Sequence, residues 1–279
     1  AARYAKITHQ ELVEDGKKRI RAVLKTATEL GPWDMTFMAE MANLTLLMGG
    51  PARLHLPGRQ LDVNEIHQFE EFELLTGDDY DLFVQIGLTR FLREVGLRLY
   101  PDMKGLKGIK MILGFAFEVR RHAKMVKAAG LESAVGFMMP GPMFEYFSIG
   151  RSMANACMDI YERPEKVKAA MMPWAKSMTS LAIRFSKFVK VPRVFIGLSR
   201  SSPAMISPKH FEEFVLPELE YMINTIVDAG MTPLLHCDTN WTKNFPLFKR
   251  FPAKKCILEL DGASDIFKAK EMLGDRMCI

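Results

Sequence analysis

One local pattern recurs four times along this chain: an amphipathic helix, then a glycine, then a short apolar run. The first helix spans 9–30. It opens with Thr8 and Glu11 at capping-box spacing and carries Leu12, Ile20, Val23, Leu24, Ala27 and Leu30 on one side. It stops at Gly31, before Met35-Thr36-Phe37-Met38. The second runs from about Phe117 to Ala129, and Gly130 leads into Ala134-Val135-Gly136-Phe137-Met138. In the third, Ser207 caps, Pro208 takes the first helical position, and Phe211, Phe214, Val215, Leu219, Met222, Ile223 and Ile226 form the buried stripe. Gly230 closes that helix and Thr232-Pro233-Leu234-Leu235-His236 follows as a strand. The fourth runs from Ser264 to Leu273, then Gly274, then Arg276-Met277-Cys278-Ile279.

Further strands are expected at 194–198 and 256–260. Short apolar runs alternating with helices imply parallel strands with helices outside. The expected fold is therefore α/β, a (β/α)8 TIM-type barrel, with 1–279 as a single domain. About six core strands can be counted where a closed barrel has eight, and Ile279 ends on a strand. The barrel is expected to be incomplete at its carboxyl end, and at its amino end too. A long helix near 164–190 bears Val167, Met171, Trp174, Met178, Leu181, Phe185 and Phe188 at spacings of four and three, a packing stripe that Pro173 is expected to bend. The segment from Gly49 to Gly58, with Arg53 and His55, reads as a loop able to cover a site.

Composition narrows the classes of function. At 279 residues and 48% hydrophobic, the chain can bury a sizeable core. A net charge of +5, with no basic stripe interleaved with aromatics, argues against nucleic acid and is compatible with a small anionic substrate. Cys157, Cys237, Cys256 and Cys278 are far apart, which predicts reduced thiols in a cytoplasmic protein. No apolar run approaches the ~20 residues that span a bilayer, so no membrane association is expected. Twenty methionines are compatible with a soft core or with a broad apolar pocket.

In a parallel barrel the chemistry sits at the carboxyl ends of the strands. Those ends read Met38-Ala39-Glu40, Met138-Met139-Pro140-Gly141-Pro142, Leu198-Ser199-Arg200-Ser201-Ser202, His236-Cys237-Asp238 and Glu259-Leu260-Asp261-Gly262. Side-chain alternation puts His236 and Asp238 on one side of their strand and Cys237 on the other. Imidazole with carboxylate suits zinc or a general acid/base pair, and a thiolate would soften the site toward sulfur substrates. Glu259 and Asp261 share this alternation on the next strand, and one of them is expected either to complete a metal shell or to orient His236 from behind. Asp261 is a candidate for substrate binding or for a turn before Ser264. Ser199, Arg200 and Ser201 offer hydroxyls and a guanidinium for a carboxylate or phosphate, or form a polar turn. No GxGxxG, P-loop or GxSxG motif is present.

Taken together, Ser207 to Pro217, Leu234-Leu235-His236-Cys237-Asp238, Leu260-Asp261-Gly262 and Asp265 to Lys270 with Leu273-Gly274-Asp275 resemble the uroporphyrinogen decarboxylase superfamily. Gly136-Phe137 with Gly141-Pro142 resembles its glycine–proline turn. That superfamily includes zinc-dependent methyltransferases that move methyl groups between corrinoid proteins and thiols or other acceptors. The resemblance covers about 30–279 and implies a methyltransferase of corrinoid-dependent one-carbon metabolism. It implies zinc, with His236 as the firmest ligand and Asp238 or Cys237 as the second. Asp238 stands where thiol methyltransferases carry cysteine, and their later cysteine would fall beyond Ile279. The expected partners are a corrinoid protein or free corrinoid (cobalamin) and a small methyl donor or acceptor. Met138, Met139 and Met143 are expected to line the mouth that receives the flat corrin. Family decarboxylases begin with an arginine-rich segment that Arg3, Arg53 and Arg59 do not match, which leaves tetrapyrrole decarboxylation as the alternative. A non-catalytic tetrapyrrole-binding barrel is the second alternative.

Overall fold

The structure, a computed structural model, describes residues 1–37 and 50–279. Met38-Ala39-Glu40 and Gly49 therefore lie outside the described residues. The strands are β1 (Met35–Thr36), β2 (Arg53–His55), β3 (Gln68–Glu70), β4 (Glu132–Ser133), β5 (Phe137–Met139), β6 (Arg193–Leu198), β7 (Thr232–Cys237) and β8 (Ile257–Leu260). They form a parallel four-stranded sheet in the order β5-β6-β7-β8, a parallel pair β1-β4 and an antiparallel pair β2-β3. Helices connect the parallel strands, as the alternation of elements predicted. The molecule is thus mixed α/β with parallel sheets, consistent with a TIM-type fold.

Several boundaries differ from the sequence reading for identifiable reasons. The first helix is two, His9–Glu14 and Gly16–Leu30, because Asp15 is extended and its carboxylate caps Lys17 N and Lys18 N of the second. The capping box of Thr8 and Glu11 forms as expected. The helix after Ser207 also divides, at Val215, into Pro208–Phe214 and Leu216–Asp228, since Pro217 supplies no N–H to continue the ladder. The helix expected from Phe117 begins at Leu106. Of the apolar run 134–138 only Phe137 and Met138 enter a strand, β5, which pairs with β6, while β4 precedes the run and pairs with β1. The terminal run 276–279 contributes a single parallel bridge, Cys278 to Ile257. Within the segment read as a covering loop, Arg53–His55 pairs with Gln68–Glu70 as a hairpin.

The core lies between the four-stranded sheet and the helices on its outer side. Val194, Ile196 and Leu198 of β6, Leu235 and Cys237 of β7 and Leu258 of β8 face it. They meet Trp174 and Met178 of the long helix Pro164–Val189 and Leu219, Met222 and Ile223 of Leu216–Asp228. Leu181, read as part of the packing stripe, is exposed, and the buried face continues through Ala182, Ser186 and Val189. Fully burying one such aliphatic side chain stabilises by about 1.5–3 kcal/mol, so this face anchors the sheet. Alternate residues point the other way. There, Phe195 and Leu234 cluster with Ala134 and Val135, and Met138 and Ile257 pack against them. Gly230 ends its helix with φ +74°, the left-handed geometry a C-terminal glycine supplies without strain. Among the described residues no helix is long and apolar enough to cross a membrane.

Candidate functional site

Strand register brings the expected residues together. Gly197 of β6, His236 of β7 and Glu259 of β8 are direct neighbours across the sheet. All three occupy the face opposite the helical core. His236 sits on Phe195, with ring centroids 4.8 Å apart. Its Nδ1 lies 2.7 Å from Glu259 Oε2, and its Nε2 lies 3.1 Å from Asp238 Oδ1. The imidazole thus bridges two carboxylates, and Glu259 takes the position behind the ring. The Glu259 hydrogen bond, aided by the charge of Asp238 and opposed by burial, raises the His236 pKa from its ordinary value.

Asp238 is held in turn. Ser199 Oγ donates to its second oxygen, Oδ2, at 2.6 Å. The next residue, Thr239, has φ +68°, an outlying conformation for a β-branched side chain. Two contacts maintain it: Thr239 N donates to Asp261 Oδ2 (2.7 Å) and Thr239 Oγ1 to Ser202 Oγ (2.7 Å). Backbone strain of this kind is kept where surrounding bonds over-determine it, often at functional sites.

Of the other expected residues, several lie away from this array. Cys237 points into the helix-side core, 1% exposed, and burial pushes its thiol well above the ordinary range. It does not face His236, which corrects its reading as a possible ligand. Met139 and Met143 are likewise buried in that core, so they do not line the His236 face, whereas Met138 packs on the Phe195 side. Arg200 is no free anion receptor: its Nη2 lies 3.0 Å from both oxygens of Glu71 and 3.3 Å from Ser148 O. Ser201 is fully buried and donates to Glu145. Asp261 is a turn residue, accepting from Thr239 N and from Ala263 N.

Sequence reasoning missed Glu145. It lies in the helix Met143–Gly150, which starts directly after the Pro140-Gly141-Pro142 turn, and its carboxylate is bonded to the turn that follows β6. Gly141 makes this approach possible. It has φ +85°, and a Cβ there would stand 2.1 Å from Gly197 O. Trp174 Nε1 fixes the same turn from the core side by donating to Gly141 O at 3.0 Å. A carboxylate placed in the first turn of an apolar helix, just after the Pro140-Gly141-Pro142 turn, was the available signal.

The uroporphyrinogen decarboxylase (URO-D) family model matches residues 119–279, more than half of the chain. The chain belongs to the uroporphyrinogen decarboxylase family. All the site residues described above from β5 onward fall within that match. A solved structure described as a methyltransferase from Methanosarcina mazei is similar, with a TM-score of 0.56 at 12% sequence identity. The likeness covers 88% of this chain and 63% of that one, so the chain spans less than two thirds of its length. At this identity the likeness concerns the fold. No curated protein matches the chain.

The donor set can be tested against a metal on its own geometry. Glu259 against Nδ1 favours the tautomer that carries its proton there, which leaves the Nε2 lone pair aimed at the Asp238 side. Ligating histidines commonly have such an acceptor behind them. His236 Nε2 and Asp238 therefore fit as two ligands. Among the described residues they belong to no metal-holding cluster of three or more His, Cys, Asp or Glu.

Proposed function

We propose that this chain is the core of a (β/α)8 barrel, residues 1–279 forming one domain, that acts as a methyltransferase of corrinoid-dependent one-carbon metabolism. The observation that carries the reading is the Glu259–His236–Asp238 array on the open face of the sheet at the carboxyl ends of β7 and β8. Family membership and the methyltransferase fold likeness support the class of chemistry. His236 and Asp238 would hold zinc, with remaining positions left to substrate, water or further chain. Bound zinc would supply Lewis-acid activation of a methyl acceptor or donor. Glu259 orients the ring, and Ser199 holds Asp238. Phe195 and Met138 provide an apolar floor for a flat corrin or a methyl group. The partner is a corrinoid protein or free corrinoid.

A second reading has its own support. Carboxylates on both ring nitrogens also suit a protonated imidazole, which cannot ligate and would act as a metal-free proton donor in a tetrapyrrole decarboxylase.

Metal analysis of the purified full-length protein, repeated on His236→Ala, tests the choice. Stoichiometric zinc that disappears with His236, together with demethylation of methylcobalamin followed by its visible spectrum, is the expected result. A metal-free protein that turns over a porphyrinogen overturns it. Corrinoid binding that survives His236→Ala, without turnover, would instead indicate a non-catalytic binding barrel.

A further inference from the structure

Glu145 is 4% exposed, and among the described residues the hydrogen bonds to its carboxylate come from donors on a single turn. Oε2 accepts from Ser199 N (3.1 Å) and Arg200 N (2.8 Å). Oε1 accepts from Ser201 N (2.9 Å) and from Ser201 Oγ. Three consecutive amides of the segment after β6 therefore converge on one buried carboxylate. Burial pushes this carboxyl up from its ordinary value, and the four donors work against that shift.

An apolar side chain would fill this space without the desolvation that a buried carboxylate costs. What it could not do is orient three N–H groups. The first of them belongs to Ser199, whose hydroxyl holds Asp238 Oδ2, while Asp238 Oδ1 faces His236 Nε2. The connected sequence is Glu145, Ser199, Asp238, His236. It links the helix after β5 to the ends of β6 and β7, and no member needs to move for the next to be held.

We infer that Glu145 is the positioning residue of this site, fixing the turn after β6 so that the Ser199 hydroxyl locks the Asp238 carboxylate in its reactive orientation. The inference rests on the reading of Asp238 and His236 as the working groups, but not on which metal or methyl carrier they serve. Glu145→Gln preserves volume and turns an N–H₂ group against at least one of the amides.

The test compares the full chain with Glu145→Gln, Ser199→Ala and the double variant, using the carboxyl carbon resonance of labelled Asp238 at a fixed neutral pH and amide exchange at 199–201. Glu145→Gln is expected to speed exchange of those amides at least ~10-fold while β8 stays protected. It should move the Asp238 resonance in the direction that Ser199→Ala does, and the double variant should move it no further. An Asp238 resonance left at its wild-type position, or shifts that simply add, would overturn the inference even if the melting temperature fell. Should Glu145→Gln fail to fold, Ser201→Ala removes one donor only and is expected to move the resonance part of the way; no movement overturns the inference. Zinc titration of the same proteins keeps the two ideas apart. A wild type that takes up no zinc sinks the metal reading and leaves the Asp238 result standing. In a zinc-binding wild type, Glu145→Gln is expected to weaken the metal about 10–100-fold.

Discussion

His236 Nδ1 and Glu259 Oε2 stand 2.7 Å apart across neighbouring strands, at positions that pair directly in the β7–β8 register. That contact engages Nδ1 and leaves Nε2 turned toward Asp238. It also explains why a carboxylate tolerates a half-buried position in a strand: it has a hydrogen-bond partner there. Glu259 therefore stands behind His236, a place that the sequence left open to either Glu259 or Asp261.

Glu259→Gln is expected to lower zinc affinity of the full-length protein about tenfold by releasing the ring, the usual size of a lost outer-shell partner. Cys237→Ala should leave affinity unchanged, because that thiol lies on the other face, while costing about 1 kcal/mol of stability as a small core cavity. Competition with a chromogenic chelator measures the first, and urea unfolding the second. Equal loss of zinc in both variants would refute the facial separation.

The thiols should differ sharply in reactivity. Cys278 is exposed, Cys157 intermediate, and Cys237 and Cys256 are buried. Burial pushes Cys256 up to about 12, so at pH 8 its thiolate fraction is negligible. Maleimide followed by mass spectrometry is expected to modify Cys278 first, and Cys237 and Cys256 only after denaturation.

Asp79 and Arg98 form a two-bond pair, at 3.0 and 2.7 Å, with Thr76 N also donating to Asp79. Burial acts to raise the Asp79 pKa, but the Arg98 and Thr76 bonds outweigh it, and the net shift is downward. A carboxyl depressed in the folded state contributes stability that is present above its unfolded pKa of about 4 and lost as pH falls through the lower folded value. Asp79→Asn is therefore expected to cost about 1–3 kcal/mol near neutral pH and to flatten the decline in stability below pH ~4. Chemical unfolding across that range checks both.

Gly141→Ala should be far more damaging than a typical surface change. The added methyl would meet the Gly197 carbonyl oxygen at 2.1 Å, in a backbone conformation that already disfavours a side chain. A loss of about 2–4 kcal/mol, or failure to fold, is expected, and a thermal melt within about 2 °C of wild type would contradict it.

The repeated helix–glycine–strand pattern made the parallel α/β architecture legible, because apolar period and helix punctuation are local properties. Alternation along Leu235-His236-Cys237-Asp238 is local in the same sense, and it assigns Cys237 to the opposite side from its two neighbours. Breaks at Asp15 and Val215 were harder to read, since helical apolar spacing continues across both.

From the sequence alone came the α/β class, the family and the strand end where His236 and Asp238 lie side by side. Tertiary structure alone decided which residues surround them. Strand register set Glu259 behind His236, the turn after β6 was gathered onto Glu145, and Glu71 took the guanidinium of Arg200. Each of those contacts joins residues 23 to 129 positions apart in the chain, and no local periodicity encodes a partner at that distance. Only closing the sheet against its helices brings them within hydrogen-bond reach.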